Sequence, residues 1–585
     1  NFRSNLSTEY GRFKLTSLMA YNRRKDRTVA GGTGNTIINS SRVPSYYYYK
    51  FMEGDKYLVN DIVGDDNPLA LLQDGGYEKK DNFIGSMNLD VKIIDGLKAT
   101  GLVGLDLTQH HRYRRDKKVP LYSSADLENP VLYMHSNTMT EDYNEKRYTL
   151  STQFLLDFNR TFNNVHNVSA LVGVSNESYT KQASRIAWEY TDEDLGLPTT
   201  DESIQNKDNK NSNNDTDQTS ITSVFGRVGY NYMDKYYGDV SFRYDGSSKF
   251  AKDQRWGFFP SFSAGWRLSE EAFMDTYKSN IGDLKLRASY GVLGNQNVDN
   301  YSYQTVYQMN NNGYVFNGIS VPGTSYTDGN AFLTWEKSAN FNIGADATFL
   351  NGNLFLSVDY FDKKTSNILL TPEVSSIYGG SAAKENAGEM KNRGWELTIN
   401  YKLNSGDFHH NFNFNISDSK NKVTDFGGKE RIDQNDQLYK LIREGQPLGS
   451  YFGYKTEGLF QSYDEIANSA LPVGASVQPG DVKYVDQNND DVIDEKDRVI
   501  LGNAFPRYTF GFTYNMTWKG FDLNVMLQGV GKRSMYLRGE LIEPFHSNYS
   551  YCIYQHQLDF WTPTNPNAQW PRLVAPGSSS STNNW

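Results

Sequence analysis

Asp486, Asn488, Asp490, Asp494 and Asp497 stand at positions 1, 3, 5, 9 and 12 of the stretch DQNNDDVIDEKD, with the Val492 carbonyl available at position 7. Carboxylate and amide oxygens at alternating positions of one tight turn give a hard cation about six or seven ligands, which is the chemistry of a calcium loop. Two positions depart from the pattern. Position 6 is Asp491 where glycine supplies the sharp bend, and position 12 is Asp497, one methylene shorter than the usual bidentate Glu. Asp tolerates the left-handed backbone that glycine adopts there, so the stretch is expected to bind Ca2+ in a structural role, ordering a loop.

Other chemistry-bearing residues do not assemble a site. His110-His111 and His409-His410 look like ligand pairs, but neighbours on a strand point to opposite faces and cannot chelate one ion. Glu270-Glu271 and Asp490-Asp491 are adjacent acids with no apolar setting to raise a carboxyl pKa as glycosidase chemistry requires. The chain has no G-x-S-x-G elbow, CxxC, HExxH or P-loop, and GGTGN at 31–35 is a lone glycine cluster in a polar loop. No enzyme is expected. Tyr46, Tyr47, Tyr48 and Tyr49 form a run in that same loop. Their flat rings with polar edges suit sugar or protein contacts, and they are expected to touch a ligand or a lid. Ser462 and Glu465 make a capping-box pattern opening a short surface helix.

The elements that must position these residues are strands. Hydrophobic residues make up only 38% of the 585, yet aromatics reach 14%, which suits strands rather than an oily core. No run of about 18 apolar residues occurs, so a membrane-spanning helix is excluded; a membrane barrel is not, because its strands alternate and dilute hydropathy. A net charge of -10 argues against nucleic acid as the main partner. The single Cys552 forms no internal disulfide and no thiolate metal site.

A parity rule runs along the chain. Strands near 82–94 and 97–111 meet at Asp95-Gly96, those near 147–160 and 165–178 at Phe162-Asn163-Asn164, and those near 220–232 and 236–249 at Asp234-Lys235. Further pairs turn through Ser269-Glu270-Glu271, at Asn351-Gly352, at Asn404-Ser405-Gly406 and at Lys519-Gly520. Every short turn is followed by a long loop, as in outer-membrane barrels, whose turns are periplasmic and whose loops are extracellular. Alternation agrees: Leu284, Leu286, Ala288 and Tyr290 oppose Lys285, Arg287 and Ser289, lipid face against wet lumen. Phe258, Phe259, Trp395 and Trp518 are expected in the interfacial girdles. The fold class is therefore all-β, a large antiparallel transmembrane β-barrel spanning 1–585, with 423–505 as a long extracellular loop carrying the calcium-type motif. About fifteen strands are counted, the first at about 9–21. An odd count, with a chain that opens on a strand and ends within a loop, leads us to expect closing strands and a plug outside these residues.

The segments RYDGSSKF (243–250), RWGFFPSFSAGWRLSEEAFM (255–274), LKLRASYGVLGNQN (284–297), LTWEKSANFNIGAD (333–346) and NAGEMKNRGWELTIN (386–400) resemble the barrel of SusC/RagA-like TonB-dependent transporters of the Bacteroidetes type. The resemblance implies outer-membrane import of oligosaccharides or peptides, a SusD-like lipoprotein lid, and energy from the TonB complex acting through a plug region not in this chain. A passive porin or a calcium-stabilised surface adhesin is the alternative reading.

Overall fold

The computed structural model describes residues 1–28, 52–59, 67–73, 75–135, 137–190, 205–210, 213–275, 282–372, 374–378, 381–435, 438–537, 542, 544 and 553–574. Within them a seventeen-stranded antiparallel sheet dominates. Sixteen of its strands form a meander. They are β1 Phe2–Tyr10, β2 Phe13–Thr28, β3 Gly75–Ile94, β4 Leu97–Asp116, β5 Thr138–Phe162, β6 His166–Tyr190, β7 Asn213–Tyr232 and β8 Tyr236–Ser247. The rest are β9 Trp256–Arg267, β10 Leu284–Asn295, β11 Glu336–Phe349, β12 Leu354–Ser366, β13 Glu389–Ser405, β14 Phe408–Asp425, β15 Arg507–Trp518 and β16 Phe521–Lys532. The seventeenth, Gln205–Lys210, extends the pairing of β6. Among the described residues β1 pairs with β2 alone and β16 with β15 alone.

Short turns lie at one end because the chain supplies left-handed residues there. Asn163, Asn164, Asp234 and Asn351 have φ of 50°, 58°, 55° and 56°, and Gly96, Gly406 and Gly520 have φ of 86°, 59° and 87°. The meander has sixteen strands where the sequence reading counted about fifteen. Gly11, at φ 60°, turns the chain between Phe2–Tyr10 and β2, and a run as polar as FRSNLSTEY hides a strand. Sixteen strands thus stand where about fifteen were expected, with β1 and β16 as the two edges of the meander among the described residues.

One face of the sheet is apolar and open. Val228, Val240 and Phe262 are 56%, 50% and 49% exposed and share a surface with Tyr230, Tyr290 and Phe341. An apolar belt that extensive is at odds with water and fits lipid. The other face is ionic. Arg227 meets Asp239 at 2.6 Å, and Arg287 reaches across two strands to Asp346 at 2.7 Å and Asp359 at 3.0 Å, so each charge that leaves bulk water gains a partner.

The wall is uneven. β5 and β6 have 25 residues each, β8, β9 and β10 only 12, while crossing a membrane takes about 9–11. With short turns aligned at one end, the surplus of β3 to β6 rises beyond the apolar belt at the other.

Candidate functional site

At the long-loop end the segments quoted above for their resemblance come together as a packed knot. Phe250, Phe259, Val298, Leu333 and Trp335 form one buried cluster. Trp335 Nε1 donates to the Arg255 carbonyl at 2.8 Å, Lys249 Nζ donates to the Val298 carbonyl at 2.8 Å, and Lys249 N–H donates to Ser247 Oγ at 3.1 Å. Gly257 and Gly294 leave room for the Phe259 ring, since a Cβ at either would lie within 2.5 Å of it. These motifs therefore build a junction of three loops. Phe259 is 6% exposed and belongs to this knot, not to an interfacial girdle. Its neighbour Phe258, 53% exposed, faces lipid, because successive strand residues cannot share a face.

The loop between β14 and β15 is built on a four-stranded sheet of Glu430–Asn435, Leu438–Arg443, Ser450–Tyr454 and Arg498–Asn503. Ser462 caps the helix Tyr463–Ala467 by accepting from Glu465 N–H at 3.1 Å. Glu465 Oε2 in turn accepts from Gln461 N–H at 2.8 Å, one residue before the cap, so the reciprocal bond that a capping box makes to Ser462 N–H goes to its neighbour instead.

Within 486–497 the carboxylates organise the backbone. Asp486 accepts from the N–H groups of Asn488, Asn489 and Asp491 at 3.2, 2.7 and 2.8 Å. Asp490 accepts from Val492 N–H at 3.1 Å and Asp494 from Lys496 N–H at 2.8 Å. Asn489 and Asp491 take φ of 60° and 61°, so Asp491 does adopt the bend that glycine normally supplies. Asp497 is fully buried and closes the turn, accepting from Gln487 N–H and Asp494 N–H at 2.8 Å each. Lys496 Nζ lies 3.4 Å from Asp494 and 3.7 Å from Asp490. Those two carboxylates hold the Lys496 ammonium above its ordinary pKa. Desolvation pushes the Asp486 carboxyl up, but the N–H groups of Asp491, Asn489, Asn488 and Asp490 outweigh it and keep its pKa below 3.8. Among the described residues no three acidic, His or Cys side chains converge closely enough to hold a metal. The donors suit a hard cation, while their present partners are backbone N–H groups, the Asn488 side-chain amide, which donates to Asp490 at 2.9 Å, and one ammonium.

Sequence reasoning missed what anchors this loop. Asp481, fully buried, accepts from Arg572 Nε at 2.6 Å and Nη2 at 3.3 Å. Trp561 Nε1 donates to Gln461 Oε1 at 3.0 Å, and the Trp561 ring lies against Gly480, where a Cβ would come within 2.3 Å. Gly480, at φ 91°, was the one available signal. Burial beside this anchor pushes the Tyr484 phenol up to about 12. Also unforeseen is Glu141 on the ionic face, which accepts from Arg112 Nε at 2.7 Å and Arg185 Nε at 2.8 Å.

The histidine pairs split as alternation requires: His110 lies 2.9 Å from Glu78, and His111 lies 3.0 Å from Asp142 on the opposite face. His409 meets Asn404 and His410 meets Tyr514. Glu271 accepts from Trp266 Nε1 at 3.0 Å and from the Tyr236 hydroxyl, a structural use. The Tyr46, Tyr47, Tyr48 and Tyr49 run and the glycine cluster at 31–35 lie outside the described residues.

The profile of a family described as TonB dependent receptor-like, β-barrel matches residues 13–530. TonB-dependent receptor P26 of Formosa agariphila is 29% identical over 98% of this chain and 57% of its own length. TonB-dependent receptor SusC of Bacteroides thetaiotaomicron is 30% identical over 53% of this chain and 31% of its own. The chain spans about half the length of the curated relatives it matches. The solved RagAB peptide transporter superposes with a TM-score of 0.76 at 18% identity, covering 99% of this chain and 63% of that one.

Proposed function

Because this chain belongs to the TonB dependent receptor-like β-barrel family, we propose that it forms the wall of an outer-membrane importer that takes up oligosaccharides or peptides with energy from the TonB complex. The observation that carries the reading is the two-faced wall: an exposed apolar belt outside, ion pairs such as Arg287 with Asp346 and Asp359 inside, and long structured loops confined to one end. In this reading the long loops are extracellular, the short turns periplasmic, and a SusD-like lipoprotein closes over the loop end. The name of one structural relative refers to peptide transport, which keeps peptides beside glycans as cargo.

Mass spectrometry of the complex extracted from native outer membrane tests this. A co-purifying lipoprotein with retained glycan or peptide is expected, along with uptake that stops when the proton-motive force is collapsed. Uptake that persists without that force, with no lipoprotein, would replace the reading with a passive porin.

Within the same reading the 486–497 turn takes up Ca2+ through Asp486, Asn488, Asp490, Asp494, Asp497 and the Val492 carbonyl. The support is the oxygen spacing and the left-handed Asp491. Calcium must compete with the Lys496 ammonium. A calcium-dependent rise in melting temperature, absent in Asp486→Ala, is expected; no calcium effect on wild type overturns the assignment.

A further inference from the structure

Two distant parts of the wall carry the same ascending order of side chains on their lipid-side face. In the first, the register joins Tyr21, Phe83, Leu107 and Tyr148 in one rung. The next outward-facing rung, two residues or about 7 Å higher along the strands, joins Arg23, Asp81, Gln109 and Lys146. The rung above that joins Lys25, Lys79, His111 and Asn144. Arg23 pairs with Asp81 at 2.6 Å, and the surface forms an open concavity of about 600 Å³ lined by Lys79, Asp81, Gln109, His111 and Lys146. On the far side, Tyr360, Trp395 and Asp418 share a rung. Asp362, Arg393 and Lys420 share the next, with Arg393 on Asp362 at 2.8 Å. Lys364, Lys391 and Lys422 share the third.

The order is thus aromatic rung, Arg–Asp rung, lysine rung, reached twice on strands far apart in sequence. Among the described residues only the long-loop end shows it. Toward the short turns the same face ends on aromatics such as Tyr232, Trp266, Tyr401 and Trp518. In a chain of net charge -10, cations gathered just beyond an apolar belt face an anionic layer at that height, where each is worth roughly a fivefold gain in local lipid affinity.

We propose that the two lysine rungs, Lys25 with Lys79, and Lys364 with Lys391 and Lys422, hold the phosphates of phosphorylated lipid headgroups in the leaflet at the long-loop end, with Lys146 and Lys420 reaching up from the rung below. The Arg–Asp rung below fixes the depth at which those headgroups sit. The inference needs only a barrel standing in a membrane, so it survives if the cargo or energy source differs from the function proposed above.

The test uses the full-length transporter in nanodiscs of phosphatidylcholine with phosphatidylglycerol, reading the lipids it retains by native mass spectrometry. Wild type is expected to enrich phosphatidylglycerol. Lys364→Gln/Lys391→Gln/Lys422→Gln is expected to lose that enrichment by tenfold or more, while the three Lys→Arg replacements keep it and all melt together. Lys391→Gln alone, which leaves the Lys364–Glu389 ion pair at 2.5 Å intact, is expected to lose about fivefold. Equal enrichment in wild type and the Gln variants overturns the proposal, as does full displacement of the lipid by inorganic phosphate, which would mark a free-anion site.

Discussion

The knot around Trp335 and the loop assembly around Asp481 stand at the same end of the wall and solve the same problem with opposite chemistry. Both tie together segments that the meander leaves far apart. The knot does it with apolar volume: Phe250 and Leu333 are fully buried, and two glycines leave room for the Phe259 ring. The loop assembly does it with charge, through a buried carboxylate clamped by Arg572 and a turn wound on Asp486 and Asp497. Packing of the first kind is indifferent to ions and pH over the physiological range, whereas the second is held by groups whose strength depends on both. The difference teaches where the molecule is fixed and where it is open to adjustment.

The largest effect is expected from Trp335→Ala, which empties the knot and costs about 3–5 kcal/mol, read as a fall in melting temperature that added salt does not restore. Arg572→Ala leaves Asp481 buried without its cation and is expected to cost about 3 kcal/mol. Limited proteolysis would show the 553–574 segment released while the barrel stays heat-modifiable on a gel, and Asp481→Asn in the same chain should recover part of the loss. If Arg572→Ala melted the whole wall, the separation of the two assemblies would fail. Asp497→Ala removes the acceptor for two N–H groups and is expected to cost about 2 kcal/mol, confined to exchange of loop amides. Lys496→Gln takes away the competing ammonium and should tighten calcium roughly twofold to fivefold; weaker binding would mean that Lys496 supports the site.

The smallest expected effect is on acidification. Asp486 has its folded pKa depressed below 3.8, so its contribution is complete above about pH 4 and is lost as pH falls through the depressed value. Protection of the 486–497 amides should fade over that window while amides of the Trp335 knot keep theirs.

The hairpins were legible because a tight reversal demands left-handed residues, and Asp95-Gly96 or Asn351-Gly352 advertise it in two letters. β1 was not, since Phe2–Tyr10 is polar enough to pass for a loop and only its ladder with β2 defines it. The acidic turn could be placed from spacing, but its present bonding could not, because whether an Asp oxygen meets a metal, an N–H or Lys496 is decided by side-chain geometry. Asp481 and Arg572 lie 91 positions apart, with nothing in either's neighbourhood to announce the other. The signature segments pointed to a family while concealing that Phe259 and Trp335 are there to pack.

The turns have a consequence in time as well as in shape. β1 to β16 are each paired with the strand next to them in the chain, and seven of the fifteen connections close through two to four residues, so those hairpins can be assembled by neighbours finding neighbours, with little search. What must wait is the joining of segments across the long excursions: the Trp335 knot, and last of all the clamp between Asp481 and Arg572, which lies beyond β16. The order of events is written into the turn lengths, with the wall raised first and its upper fittings locked afterwards.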